Sequence, residues 1–292
     1  MSVGRIDSEI RARDYTGSLQ VGTLYLVATP IGNLEDVTLR ALRVLREASL
    51  VLAEDTRHTR KLLDRHNISC KPVSLHAHNE AARVERVIEA LASGDVALVS
   101  DAGTPLVSDP GERLVQAVVE AGHGVSAIPG PSAALAALTS AGLGSERFTF
   151  IGFLPRKAGA RDALLERFAD AAETLVFFES PQRLHTTLLA LGDALGDRRA
   201  CVARELTKLH EELVRGSLAE LAERYAEGAR GEVTLVVEGA PPASPPSAEV
   251  LDAEIRAALA RGETPRDVAA RLARPGLPRR DVYQRVNALR AK

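Results

Sequence analysis

The chain has 292 residues, 45% apolar and 26% charged, and its 37 basic against 39 acidic residues give a net charge of −2. That length suits about two domains with a sizeable core, and no apolar run reaches the roughly 20 residues a membrane span needs. The charged N-terminus does not read as a secretory signal, so cytoplasm is the expected compartment. The two cysteines, Cys70 and Cys201, lie far apart with no C-x-x-C, which fits a reducing compartment and argues against structural zinc.

Residues 1–20 lack apolar periodicity and read as a mobile arm. Short β-rich runs then alternate with helical patterns: strands at 22–28, 50–53, 95–100 and 124–128, helices at 35–47, 55–66, 79–93, 109–121 and 131–142. Such alternation predicts an α/β domain over 21–145 with a mostly parallel sheet covered on both faces. From about residue 145, strands at 148–153, 174–178, 200–204, 212–216 and 232–238 follow with fewer helices between them. They predict a second α/β domain over 146–240 with a mixed sheet. Residues 240–247 (APPASPPS) have the composition of a semi-rigid linker.

Residues 248–292 read as a small trihelical module, with helices at 248–261, 265–273 and 279–290. Thr264-Pro265 is an N-cap followed by proline at the first helical position, and Pro275-Gly276 with Pro278 breaks the chain before the last helix. The pattern fits a helix-turn-helix unit. From Thr264 to Lys292 eight basic residues stand against Asp267 and Asp281, a net +6, which leaves −8 for the rest. An acidic body with a basic tail points to contact with a polyanion.

In a parallel sheet, ligands bind beyond the carboxyl ends of the strands. The loops there are residues 28–34 (ATPIGNL), 54–60 (EDTRHTR), 100–111 (SDAGTPLVSDPG) and 129–133 (PGPSA). The third carries two prolines and two glycines, too long for a turn and able to bring backbone close to a ligand. His76 and His78 lie two apart and read as polar pocket residues, since a metal site needs further ligands that the sequence does not place obviously. No G-x-x-x-x-G-K-[ST] loop occurs, the G-x-G patterns follow helices, and no G-x-S-x-G elbow appears. Nucleotide-loop, dinucleotide and serine-hydrolase chemistries are therefore disfavoured.

The segments TPIGNLEDVTLRAL (29–42), AEDTRHTRKLL (53–63), LHAHNE (75–80), SDAGTPLVSDPG (100–111), IPGPSA (128–133), GFLPRK (152–157), FFESPQR (177–183), RELTKLHEE (204–212) and GEVTLVVEG (231–239) together resemble the ribosomal RNA small-subunit methyltransferase I family. Its fold is that of the tetrapyrrole methylases, the class III S-adenosylmethionine (SAM) methyltransferases. Ala77 departs from the family pattern, in which a charged or larger residue is expected between the two histidines. The resemblance implies methyl transfer from SAM to the ribose 2′-hydroxyl of a decoding-region cytidine in 16S rRNA, within the 30S subunit, by a homodimer; the short apolar runs and the lack of a convincing ligand cluster predict no membrane association and no metal. It further implies two α/β domains with SAM in the cleft between them.

The cofactor residues so implied are Thr29, Pro30, Asp101, Ala102, Gly103, Leu106, Val107, Gly130, Ser132, Phe178, Glu179, Leu206, Thr207 and Lys208. Asp55, His78 and Asp101 are candidate bases for the hydroxyl, Asp101 serving equally to position SAM. Arg57, Arg156, Lys157, Arg183, Arg279 and Arg280 are candidate RNA contacts. Two other classes fit less well: a tetrapyrrole methyltransferase, which has no need of a basic tail, and a ligand-sensing helix-turn-helix regulator, which has no need of such titratable loops.

Overall fold

A computed structural model describes residues 22–76, 79–241, 246–274 and 276–290. The expected N-terminal arm, His78 and half of the proline-rich linker lie outside the described residues. The chain divides into two compact units, Met1–Ala137 with Arg204–Glu212, and Leu138–Ala203 with Leu213–Lys292.

The first unit is built on a five-stranded sheet in the order β3-β2-β4-β1-β5. Its strands are β1 (Thr23–Val27), β2 (Leu50–Ala53), β3 (Val73–Ser74), β4 (Val96–Val99) and β5 (Gly124–Ile128), and neighbours pair in parallel throughout. On one face α1 (Leu39–Glu47) and α2 (Thr56–Arg65) bury Leu42, Leu45, Leu62 and Leu63 against Val51, Ala53, Ala97 and Val99. On the other, α3 (Glu80–Leu91) and α4 (Glu112–Glu120) bury Val87, Leu91, Leu114 and Val118 against Leu24, Leu52, Val96 and Leu98. Burial on both faces is why these strands read as continuous apolar runs instead of alternating ones.

Register fixes where the loops begin. Val27 lies opposite both Val99 and Ile128, and Ala53 opposite Val99, so the four loops that follow β1, β2, β4 and β5 leave one sheet edge at one level. The helix expected over 35–47 is interrupted: a 3-10 turn, Leu34–Asp36, precedes α1, and Thr38 caps α1 through a bond from Ala41 N.

The second unit carries a mixed sheet in the order β6-β7-β10-β8-β9. Its strands are β6 (Phe148–Phe153), β7 (Thr174–Glu179), β8 (Arg199–Arg204), β9 (Glu212–Ser217) and β10 (Val233–Val237). β6 and β7 are parallel, β7 and β10 antiparallel. Leu165 of α6 (Ala158–Glu166), Leu184 and Leu188 of α7 (Leu184–Leu195) and Leu218 of α8 (Leu218–Arg224) pack with Leu175, Phe177 and Leu235. The C-terminal helices α9 (Ala248–Ala260), α10 (Pro265–Leu272) and α11 (Arg279–Arg290) have a core of their own around Ile255, Val268, Leu272, Val282 and Val286. Thr264 caps α10 and Pro265 opens it, as the sequence predicts. The chain leaves the first unit inside α5 (Ala133–Ser140) and returns to it for Arg204–Glu212, between β8 and β9.

Candidate active site

The long loop after β4 is pinned to its neighbours through backbone. Thr29 N donates to Gly103 O at 2.9 Å and Gly103 N to Thr29 O at 3.0 Å, and the buried Thr29 hydroxyl donates to Ser100 O at 3.1 Å. Thr104 reaches Pro131 O at 3.4 Å. Gly103 sits at φ +81°, and Leu106 and Ser108 both at +70°, a region costly for residues with a Cβ. Two side-chain-bearing residues of one loop thus take the left-handed region, a condition that clusters at ligand sites. Ala102, Val107 and Gly130 remain exposed, while Leu106 and Ser132 are half-buried.

Arg204–Glu212 closes onto the loop after β1. Asn33 N donates to the Thr207 hydroxyl at 3.0 Å, and a Cβ on Gly32 would stand 2.5 Å from Lys208 Cγ and 2.8 Å from Thr207 Oγ1. Only glycine allows that approach. Glu205 and Thr207 take φ +52° and +66°; the Glu211 carboxylate accepts from Thr207 N at 2.6 Å and Lys208 Nζ lies 2.9 Å from Glu205. The fold thus brings the predicted residues 29–33, 101–107, 130–132 and 206–208 into one unit.

Four carboxyl groups share the edge, and their environments differ. Asp55 caps α2, accepting from Arg57 N at 2.8 Å, and its two oxygens take the Arg57 guanidinium at 3.2 and 2.9 Å. The Arg57 bonds hold the Asp55 carboxyl down at about 2. Asp101 accepts from Asp55 N at 2.8 Å and so fixes the start of α2. Glu54 is raised above the usual carboxylate range, first by burial and then by Asp109 and Asp101. Asp109 is pushed up to about 6, by burial first and by Asp101, against a bond from the Ser100 hydroxyl. That hydroxyl has one proton for two acceptors, the other being Gly103 O at 3.3 Å.

Glu54 and Asp109 are the functional candidates that sequence reasoning missed. Both lie in loops it singled out, but their mutual repulsion arises only when β2 and β4 are paired side by side. His76 N donates to Asn79 Oδ1 at 2.8 Å, ordering the turn that leads into α3.

The second-unit candidates are engaged locally. Glu179, 3% exposed, accepts from the Thr187 hydroxyl at 2.6 Å and from Ser180 N at 2.7 Å, and its second oxygen also meets Arg183 at 3.3 Å. Arg183 donates in turn to Leu154 O at 3.0 Å. Phe178 packs edge-on to Phe150, ring centres 4.9 Å apart. Arg156 and Lys157 are exposed ahead of α6, and Arg57 keeps an exposed guanidinium despite its pair. Among the described residues no three His, Cys, Asp or Glu side chains are grouped to hold a metal, and no helix is long and apolar enough to cross a membrane.

The family model for tetrapyrrole (corrin/porphyrin) methylases matches residues 23–222. Over 289 residues, 97% of this chain and 91% of the relative, the sequence is 46% identical to ribosomal RNA small subunit methyltransferase I of Micromonospora olivasterospora. The chain belongs to the ribosomal RNA small subunit methyltransferase I family. A relative of the same name from Mesorhizobium japonicum is 52% identical over 73% of this chain and 74% of its own. Among solved structures, uroporphyrin-III C-methyltransferase of Thermus thermophilus complexed with S-adenosyl homocysteine is 25% identical, with a TM-score of 0.55 over 74% of this chain and 97% of that one. For this rRNA methyltransferase family member, the sheet edge offers groups that fit a cationic sulfonium: an acidic cluster of Glu54, Asp101 and Asp109 beside the exposed residues Ala102, Val107 and Gly130.

Proposed function

We propose that this protein transfers the methyl group of SAM to the ribose 2′-hydroxyl of a cytidine in the decoding region of 16S rRNA, acting on the 30S subunit as a cytoplasmic homodimer. The observation that carries the reading is the 46% identity across 97% of the chain to a small-subunit rRNA methyltransferase. When bound, SAM supplies an electrophilic methyl carbon on a sulfonium. The chain's own task is then to align an oxygen with that carbon and exclude water, since in-line displacement depends chiefly on positioning.

The locked Thr29–Gly103 pair and the strained turns at Leu106 and Thr207 provide rigid walls for this alignment. Glu54, Asp101 and Asp109 stabilise positive charge at the edge, and Arg57 offers its exposed guanidinium to phosphate. Asp109 is the described carboxyl suited to take the hydroxyl proton near neutrality, because burial has lifted its proton affinity toward working pH. His78 remains a second candidate for that proton.

The test is to incubate the protein with methyl-labelled SAM and, separately, naked 16S rRNA, 30S subunits or uroporphyrinogen, then digest any labelled RNA to nucleosides. Label in 2′-O-methylcytidine supports the reading. Label on a base, or in the tetrapyrrole alone, overturns it in favour of the neighbouring methylase chemistry that the Thermus structure suggests.

A further inference from the structure

The C-terminal helices close over their own apolar core, so the arginines on their surface are not needed for packing. Four of those arginines are paired within the module. Arg261 and Arg271 both pair with Glu263, at 2.8 and 2.9 Å; Arg285 forks onto Asp252 at 2.6 and 2.8 Å; Arg274 lies 3.5 Å from Glu254. These charges are neutralised within the module. Arg266, Arg279 and Arg280 carry no side-chain partner among the described residues, and with Tyr283 they line one depression of about 430 Å³. The nearby acid Asp267 is occupied in part by the Thr264 hydroxyl, at 2.6 Å.

The placement follows from sequence. Arg266 stands in the first turn of α10 and Arg279 and Arg280 open α11, so the first turns of both helices line the depression. Tyr283 follows Arg279 by four residues and Arg280 by three, which puts it on their face of α11. Guanidinium forks recognise phosphate oxygens in pairs. A half-exposed aromatic ring beside them adds a surface on which a base can stack, and a stacked base must be unpaired, because duplex RNA keeps its bases inside. An acidic peptide would use the arginines but leave the ring without a role.

We propose that the depression bounded by Arg266, Arg279, Arg280 and Tyr283 binds one unpaired rRNA nucleotide and its flanking phosphates. The proposal rests on the reading of the chain as an rRNA methyltransferase, and it turns the general attraction of a basic tail into a site that distinguishes single-stranded from paired RNA.

The experiment uses the full chain and measures affinity for a labelled single-stranded oligoribonucleotide and for an RNA duplex of equal length at several salt concentrations. Replacing Arg279→Gln and Arg280→Gln together is expected to weaken both and to reduce the single-strand salt slope by about 1.4, the loss of two phosphate contacts. Tyr283→Leu is expected to weaken single-strand binding by roughly 5- to 140-fold while duplex affinity stays unchanged. Wild-type affinity in Tyr283→Leu, or an unaltered salt slope in the double variant, overturns the proposal. Displacement of the oligonucleotide by polyglutamate at matched charge also overturns it, in favour of an acidic protein surface. Methyl incorporation into 30S subunits by the wild-type protein is read in parallel: its absence sinks the rRNA reading of the active site, whereas unaltered variants sink this inference alone.

Discussion

Asp55 and Asp109 end up at one sheet edge with opposite proton affinities, and stability should report the difference. Asp109 has a folded pKa of about 6 against an ordinary 3.8, so the folded state binds the extra proton between those values. Its neutral form is favoured by folding below pH 3.8, and that advantage is lost as pH rises through 6. Asp109→Asn should therefore stabilise the protein by about 1 kcal/mol above pH 7, after allowance for its partial exposure. The gain should shrink to nothing near pH 4, as urea denaturation at both pH values would read. Asp55 works the other way: held near 2, it stabilises above pH 3.8 and loses that contribution as pH falls toward 2. The sequence identifies Asp55, Asp101 and the loop that contains Asp109. It does not rank them, because their proton affinities depend on Arg57 folding back onto Asp55 and on burial that only the assembled edge creates.

Elements depend on borrowed caps. α4 begins after Gly111, which sits at φ +129° and has no side chain to offer, and Glu80 from α3 supplies the acceptor, taking Leu114 N at 2.9 Å. Glu80→Ala should cost about 1–3 kcal/mol in chemical denaturation, since a buried helix donor is left without a partner, and Glu80→Gln should recover most of it. Gly32→Ala tests the other contact between elements. Its Cβ would collide with Lys208 and Thr207, displacing residues 206–208, and SAM affinity by calorimetry should fall at least severalfold while the melting temperature changes little. An unchanged affinity would remove residues 206–208 from the cofactor site. The strands of both sheets and the three terminal helices are legible from apolar pattern, caps and prolines. β3 is not, because two residues, Val73 and Ser74, carry no periodicity. The 3-10 turn at Leu34–Asp36 is hidden because Asn33 and Thr38 are both caps within a continuous helical pattern.

At the scale of the whole molecule, charge is divided between an acidic body and a basic end: residues 264–292 carry +6. A chain ending at Gly239 should keep SAM affinity but bind 30S subunits more weakly and with a shallower salt dependence, because the phosphate-binding arginines are gone. Unchanged 30S affinity together with a lowered melting temperature would instead make the module a packing element. The alternation of strand and helix made two α/β sheets legible, yet nothing in it announces that residues 204–212 rejoin the first unit. That return is written in Gly32 and Asn33, whose partners lie about 170 residues downstream.

This return has a consequence for synthesis. The first unit has all five of its strands once Ala137 has emerged from the ribosome, but its last segment, Arg204–Glu212, is complete only about 75 residues later. At 5–20 residues per second the nascent chain spends roughly 4–15 s with its sheet complete and that segment missing. During this interval Gly32 and Asn33 lack their downstream partners, Thr207 and Lys208. The growing polypeptide therefore passes through a stage in which the sheet is finished but the segment that packs on the loop after β1 has yet to be made, and the first unit is completed late in translation, when the chain doubles back on itself.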